Sequence, residues 1–294
     1  MRTQAIDKSA IALSFLRLLA CDCRSEYLLA TKDVAFLTQR IQYRYKTDQS
    51  ATPDRSALEA IVDAYRYVVN HTSTGQHGLM RVQTGDWNDG FSGMAGCGKG
   101  VSACQTAVQK EGESIANSAM MTFVLERFAQ ALELCKVDKG VLDVAEVRAF
   151  AAAQTAAVRE YGWNGRWINR AWLPKKGFVG TTSDHLGMTM EPQSWVLLSG
   201  MLNTSEQSAL LQSLGQLDCP LSWKQSATGH MWVALNHPMI MGVATVNKSL
   251  AWEKWMQSSL ANEASLHPTL WPGVTSQASK LLYDRTFFSK IDCL

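Results

Sequence analysis

The chain has 294 residues, 28 basic and 26 acidic, for a formal net charge of +2. That balance offers no cationic field to hold nucleic acid through its phosphates. At 46% hydrophobic and 18% charged residues, it has the composition of a chain that buries a core, not of a disordered one. No apolar run reaches the roughly 18 residues of a membrane-spanning helix.

Helical periodicity dominates along the chain. Residues 9–21 carry Ile11, Leu13, Leu16, Leu18 and Leu19 on roughly one face, which predicts an amphipathic helix. Ser14 and Arg17 interrupt the apolar patch and no small-residue cleavage site follows, which disfavours a signal peptide. A short helix over 25–30, a break at 31–33 and a further turn to Leu37 come next. Thr52-Pro53-Asp54 opens a helix to about Asn70, with Thr52 or Asp54 as its cap. Residues 71–112 hold nine glycines and predict a long loop. Helices are then predicted over 113–137 and 143–161, and again over 192–201 and 204–217, the last capped by Thr204 or Ser205. The irregular stretch 162–191 separates the two pairs. A loop over 218–230 leads to helices over 231–245 and 249–266. His237 before Pro238 reads as a turn residue, and Trp252 and Trp255 as helix packing. With no strand-rich stretch and no βαβ alternation, the pattern is all-α and one domain, residues 1–294. Seven cysteines at irregular spacing, with no CxxC pair, predict reduced thiols in a cytoplasmic protein and no zinc site.

The sharpest chemical signal is Thr84-Gly-Asp-Trp-Asn-Asp-Gly90. An indole packs on the apolar face of a pyranose, and Asn88 with one of Asp86 and Asp89 can hydrogen-bond hydroxyls. The other Asp can give a proton, and the flanking glycines allow close backbone approach. A calcium-type Asp/Asn loop or a plain turn uses the same residues, although the EF-hand spacing is not met.

This segment, with His77-Gly-Leu-Met-Arg81 before it, resembles the inverting disaccharide phosphorylases, the family of cellobiose, chitobiose and cellodextrin phosphorylases. Similar elements follow in order: Ser25-Glu-Tyr-Leu-Leu-Ala-Thr-Lys-Asp-Val-Ala-Phe-Leu37, Gly112-Glu-Ser114, Trp163-Asn-Gly-Arg-Trp167 with Arg170-Ala171, and Glu191-Pro-Gln-Ser-Trp195. The resemblance implies an (α/α)6 barrel, here the C-terminal part of the catalytic domain without the family's β-sandwich and first barrel helices. It implies phosphorolysis of a β-linked disaccharide or oligosaccharide with inversion. Inorganic phosphate is then co-substrate, and no metal or organic cofactor is needed. One protein acid suffices, because phosphate replaces the activated water of an inverting hydrolase. Asp89 takes that role and Trp87 lines the donor site. The family's Thr-Gly phosphate element has no match in this sequence; the corresponding stretch begins Gly229-His-Met-Trp232.

Other candidates each have a structural alternative. Glu191 is a ligand-facing carboxylate, a base if the enzyme is a hydrolase, or a helix N-terminal Glu. Gln193 is a substrate ligand or a surface amide, and His230 a phosphate ligand or a structural imidazole. Glu113 binds ligand or caps the next helix. Trp167 and Arg170 form a stacking and hydrogen-bonding wall, or pack in the core. Three functions remain open: phosphorylase, inverting hydrolase on the same barrel, or a non-catalytic sugar-binding relative. A homodimer is compatible with each.

Overall fold

The computed structural model describes residues 24–41, 55–83, 90–97, 102–227, 229, 231–259, 261–262 and 265. The helix expected over 9–21, residues 84–89 of the tryptophan-bearing motif, and His230 lie outside them. The chain divides into two compact units, Met1–Tyr161 with Ala171–Gly177, and Gly162–Arg170 with Phe178–Leu294.

The first unit opens with helix α1 (24–31) and a 3-10 turn at Val34–Thr38, where Asp33 accepts from the Phe36 N–H. Strands β1 (Arg40–Ile41) and β2 (Arg55–Ser56) pair antiparallel and lead into α2 (Ala57–Tyr67). Its cap is Ser56, not Thr52 or Asp54: the Ser56 side chain accepts from Glu59 N, and the Glu59 carboxylate reaches back to Ser56 N at 2.6 Å. This reciprocal box satisfies two orphan donors, which a cap further upstream would leave open. A π turn, Val68–Thr72, extends α2.

The stretch expected to be one long loop contains two helices, α3 (Phe91–Met94) and α4 (Ser102–Glu111). Cys97, just after α3, and Cys104, within α4, form a disulfide across seven positions of sequence, against the expectation of reduced thiols. Strand β3 (Glu113–Ser114) precedes α5 (Ile115–Leu134), whose Ser114 cap accepts from Asn117 N. Glu113 is therefore a strand residue and not part of a helical first turn. Helix α5 is buried on nearly all sides, through Ile115, Met120, Met121, Val124, Leu125 and Phe128, and this marks it as the centre of its unit. It packs along α6 (Val144–Ala157), which Asp143 caps. Tyr65 of α2 lies on Phe128, ring centres 5.9 Å apart. Burial there pushes the Tyr65 hydroxyl up to about 12. Strand β4 (Ala171–Leu173) pairs antiparallel with β3.

After β5 (Gly177–Val179), the second unit holds α7 (Met190–Leu198) and α8 (Thr204–Leu214). Asn203, not Thr204 or Ser205, caps α8, again in a box with the Glu three residues on, Glu206. Strands β6 (Asp218–Cys219) and β7 (Ser222–Trp223) form a hairpin ahead of α9 (Val233–Ala244) and α10 (Lys248–Gln257). Helix α9 packs on both α7 and α10. His237 sits inside α9 and not in a turn. Trp252 and Trp255 are 65% and 47% exposed, and Trp255, expected in helix packing, lies against His237 of α9 with ring centres 5.6 Å apart.

Candidate active site

In the first unit, the segment that runs into the motif is a strand in all but length. Ser114 N donates to Met80 O at 2.7 Å and Val82 N to Gly112 O at 2.8 Å, which sets Arg81 opposite Glu113. On the other side Arg81 N donates to Ser73 O. Glu113 in turn stands opposite Trp172. Residues directly opposite share a face of an antiparallel ladder, so Arg81, Glu113 and Trp172 form a row. The other face is core: Met80, Val82, Ser114 and Ala171 are buried.

Glu113 is wholly buried, and His77 engages both of its oxygens. The His77 backbone N–H donates to Oε1 at 2.9 Å, and the ring Nδ1 meets Oε2. The carboxylate thus holds the turn 75–78 through one residue's main chain and side chain together. A Cβ on Gly75 would lie 2.5 Å from the Glu113 carboxyl carbon, so only glycine lets the turn close on it. The imidazole is set against two aromatic rings, Tyr161 at 4.8 Å and Trp172 at 5.2 Å between centres. The Tyr161 hydroxyl is pushed above its usual value, first by its hydrogen bond to Glu160 and in part by the charge of Glu113.

In the second unit, the loop 162–170 is organised by amides. Asn164 Oδ1 accepts from the backbone of Arg166 and Trp167, and Asn164 Nδ2 donates to Asn169. Trp167 is 3% exposed, its indole N–H donating to Gly180 O at 2.7 Å, with the Arg166 guanidinium over the ring. Gln193 is fully buried. Its Oε1 accepts from Ile168 N at 2.9 Å, and its Nε2 donates to Ile168 O at 2.7 Å and to Thr189 O at 2.9 Å. Both residues are packed inside the unit, the alternative to a ligand-facing wall or a surface amide.

Arg170 and Glu191 come together, both buried, with Nε and Oε1 3.8 Å apart. Gln225 Nε2 donates to that same Oε1 at 2.6 Å, while Glu191 Oε2 is buried with no hydrogen-bond partner among the described residues. Gly180, at φ +76°, makes room for Arg170: a Cβ there would lie 2.8 Å from Arg170 N. Glu191 is thus a buried carboxylate in the first turn of α7, and more than a surface residue complementing the helix dipole. Among the described residues no cluster of His, Cys, Asp and Glu could hold a metal ion.

Asp89, expected as the general acid, and Asp86, Trp87, Asn88 and His230, expected to bind substrate and phosphate, lie outside the described residues. Sequence reasoning missed His77, Gly75, Arg81 and Gln225. His77 stood beside the motif as a quoted neighbour, but nothing in the sequence pairs it with a carboxylate 36 positions away.

Comparison with known proteins sets this geometry in a family. Residues 17–218 match the Glycosyl hydrolase 94 superfamily, catalytic domain, and the chain belongs to that family. Its fold class is accordingly the all-α (α/α)6 barrel, and the described elements are the helices, loops and very short strands of that class. The chain is similar to solabiose phosphorylase of Paenibacillus borealis, 28% identical over 196 residues, which cover 66% of this chain and 23% of that protein. It is also similar to 3-O-beta-D-glucopyranosyl-beta-D-glucuronide phosphorylase of the same organism, 22% identical over 199 residues, 67% of this chain and 23% of the relative. The matched segment spans about a quarter of the length of these relatives.

Proposed function

We propose that this chain carries the acid-bearing part of an inverting phosphorylase that cleaves a β-linked disaccharide or oligosaccharide. The observation that supports it is the Gly85-Asp-Trp-Asn-Asp-Gly90 motif inside the segment matched to the family. Both relatives described above are phosphorylases by name.

In this reading a phosphate oxygen attacks the anomeric carbon from the face opposite the leaving group. Asp89 gives its proton to the glycosidic oxygen as the C–O bond breaks, and the products are an inverted sugar 1-phosphate and the shortened saccharide. Trp87 stacks on the sugar ring, while Asp86 and Asn88 take its hydroxyls. His230 and the buried Glu191 with Arg170 supply polar groups to phosphate and saccharide. Trp167 and Gln193 act by shaping the loop 162–170. Glu113 acts through His77 and not by touching substrate. Residues 1–294 form the catalytic portion, and neither metal nor organic cofactor takes part. No described helix is long and apolar enough to cross a membrane. A cytoplasmic site and the Cys97–Cys104 bridge make opposite claims about redox environment, and alkylation of free thiols before lysis decides between them.

The test is sugar release with and without inorganic phosphate, repeated for Asp89→Asn. Release that depends on phosphate and falls roughly 10²–10⁴-fold in the variant is the expected result. Release without phosphate makes the protein a hydrolase; sugar binding without any turnover makes it a binding relative.

A further inference from the structure

The row Arg81–Glu113–Trp172 contains one charge with no ion-pair partner among the described residues. Arg81 is half-buried on the ladder face opposite the core, and its Nε is fully buried with no hydrogen-bond partner among the described residues. Its cross-strand neighbour Glu113 is not its counter-ion, because both Glu113 oxygens are turned to His77. A buried donor on a charged group without an acceptor is among the costliest of unmade hydrogen bonds. Such a group in a native chain calls for an explanation, and an acceptor that arrives from outside is one.

We infer that Arg81 anchors an oxyanion-binding subsite, in which a phosphate or a sugar carboxylate meets its guanidinium beside the Trp172 and His77 rings. The guanidinium presents a planar fork of donors that fits two oxygens of one phosphate or carboxylate. Trp172 stands two strands across on the same face, half-buried, with the His77 ring tilted against it at 5.2 Å between centres. A ring set beside that indole and an oxyanion on Arg81 are the two halves of a charged sugar. Position agrees with this: Arg81 is three residues before Thr84, on the strand that delivers the motif. The unsatisfied Nε beside Trp172 and His77 carries the subsite by itself; the choice of phosphate as its occupant rests on the proposed reaction.

Equilibrium binding tests it without turnover. The 294-residue protein is titrated with inorganic phosphate, followed by phosphorus NMR, and separately with glucuronate, followed by calorimetry, with sodium chloride as the control anion. Arg81→Gln should weaken the oxyanion that binds by about ten-fold or more, and Arg81→Lys by less, since it keeps the charge and loses the fork. The Arg81→Gln melting temperature should stay level or rise, because this side chain has no internal hydrogen bond at its buried Nε to lose. Binding of glucuronate but not phosphate keeps the subsite and assigns it to a sugar carboxylate. Wild-type protein that binds neither oxyanion overturns the inference. So does Arg81→Gln protein that binds as well as wild type, or that melts well below it. Absence of phosphorolysis would sink the proposed reaction and leave these binding results intact.

Discussion

Among the described residues each unit buries one glutamate where its irregular segment ends, Glu113 in β3 and Glu191 in the first turn of α7, and the two are treated differently. Glu113 has both oxygens occupied by a single residue, His77, and its burial closes a turn. Glu191 has one oxygen on Gln225, a guanidinium 3.8 Å away, and a second oxygen with no hydrogen-bond partner. The first carboxylate is spent on the fold. The second still has a lone-pair side to give to a ligand hydroxyl. Burial alone therefore does not separate a structural carboxylate from a binding one; the count of satisfied oxygens does.

Replacing each residue should expose that difference. Glu113→Ala removes both anchors of the 75–78 turn and should cost about 3 kcal/mol in urea denaturation, whereas Glu113→Gln, which keeps an acceptor for His77 N, should cost less than half of that. Equal losses for the two variants would mean that the backbone contact contributes nothing. Gly75→Ala pushes a methyl into the Glu113 carboxyl and should destabilise by about 2 kcal/mol. Glu191→Gln should cost only about 1 kcal/mol, since Gln225 keeps an oxygen to donate to. Its larger effect should be on saccharide binding, read by titration; unchanged saccharide affinity would place Glu191 with Glu113 as a structural group.

The smallest effect is an acid one. Glu26 and Glu133 are held below the usual carboxylate range, first by hydrogen bonds from Arg127 and Arg148 respectively, Glu59 by the Ser56 N–H and Asp143 by Lys139. All four belong to the first unit. A carboxyl with a depressed folded-state pKa adds stability that is present above its unfolded value, near 4, and is lost as pH falls through the folded one. Hydrogen exchange should therefore loosen the first unit ahead of the second below about pH 4 and separate them little between pH 5 and 7.

The helices were legible because their apolar stripes repeat at helical spacing. Ile61, Val62 and Tyr65 lie buried on α2 as their spacing requires. The caps were off by one to four residues, because any small polar residue near a boundary can cap in principle. The Glu three positions after Ser56 and after Asn203 is the signal that decides between them. Strands of two or three residues, such as β3 and β4, show no period to read, so Glu113 was placed on a helix. The Cys97–Cys104 bridge depended on where α3 ends and α4 begins. Arg81 was invisible as a site residue, since an unpaired charge is defined by what fails to surround it.

Two amides in the second unit share a habit with consequences for how such a protein can vary. Gln193 takes both the N–H and the C=O of Ile168, and Asn236 takes both from Trp223. Each behaves as a one-residue length of β-strand supplied by a helix. Since the grip is on main chain alone, it is indifferent to the side chain held. The clasp itself can therefore survive a change of side chain at Ile168 or Trp223, and what limits such a change is the packing of these two buried side chains.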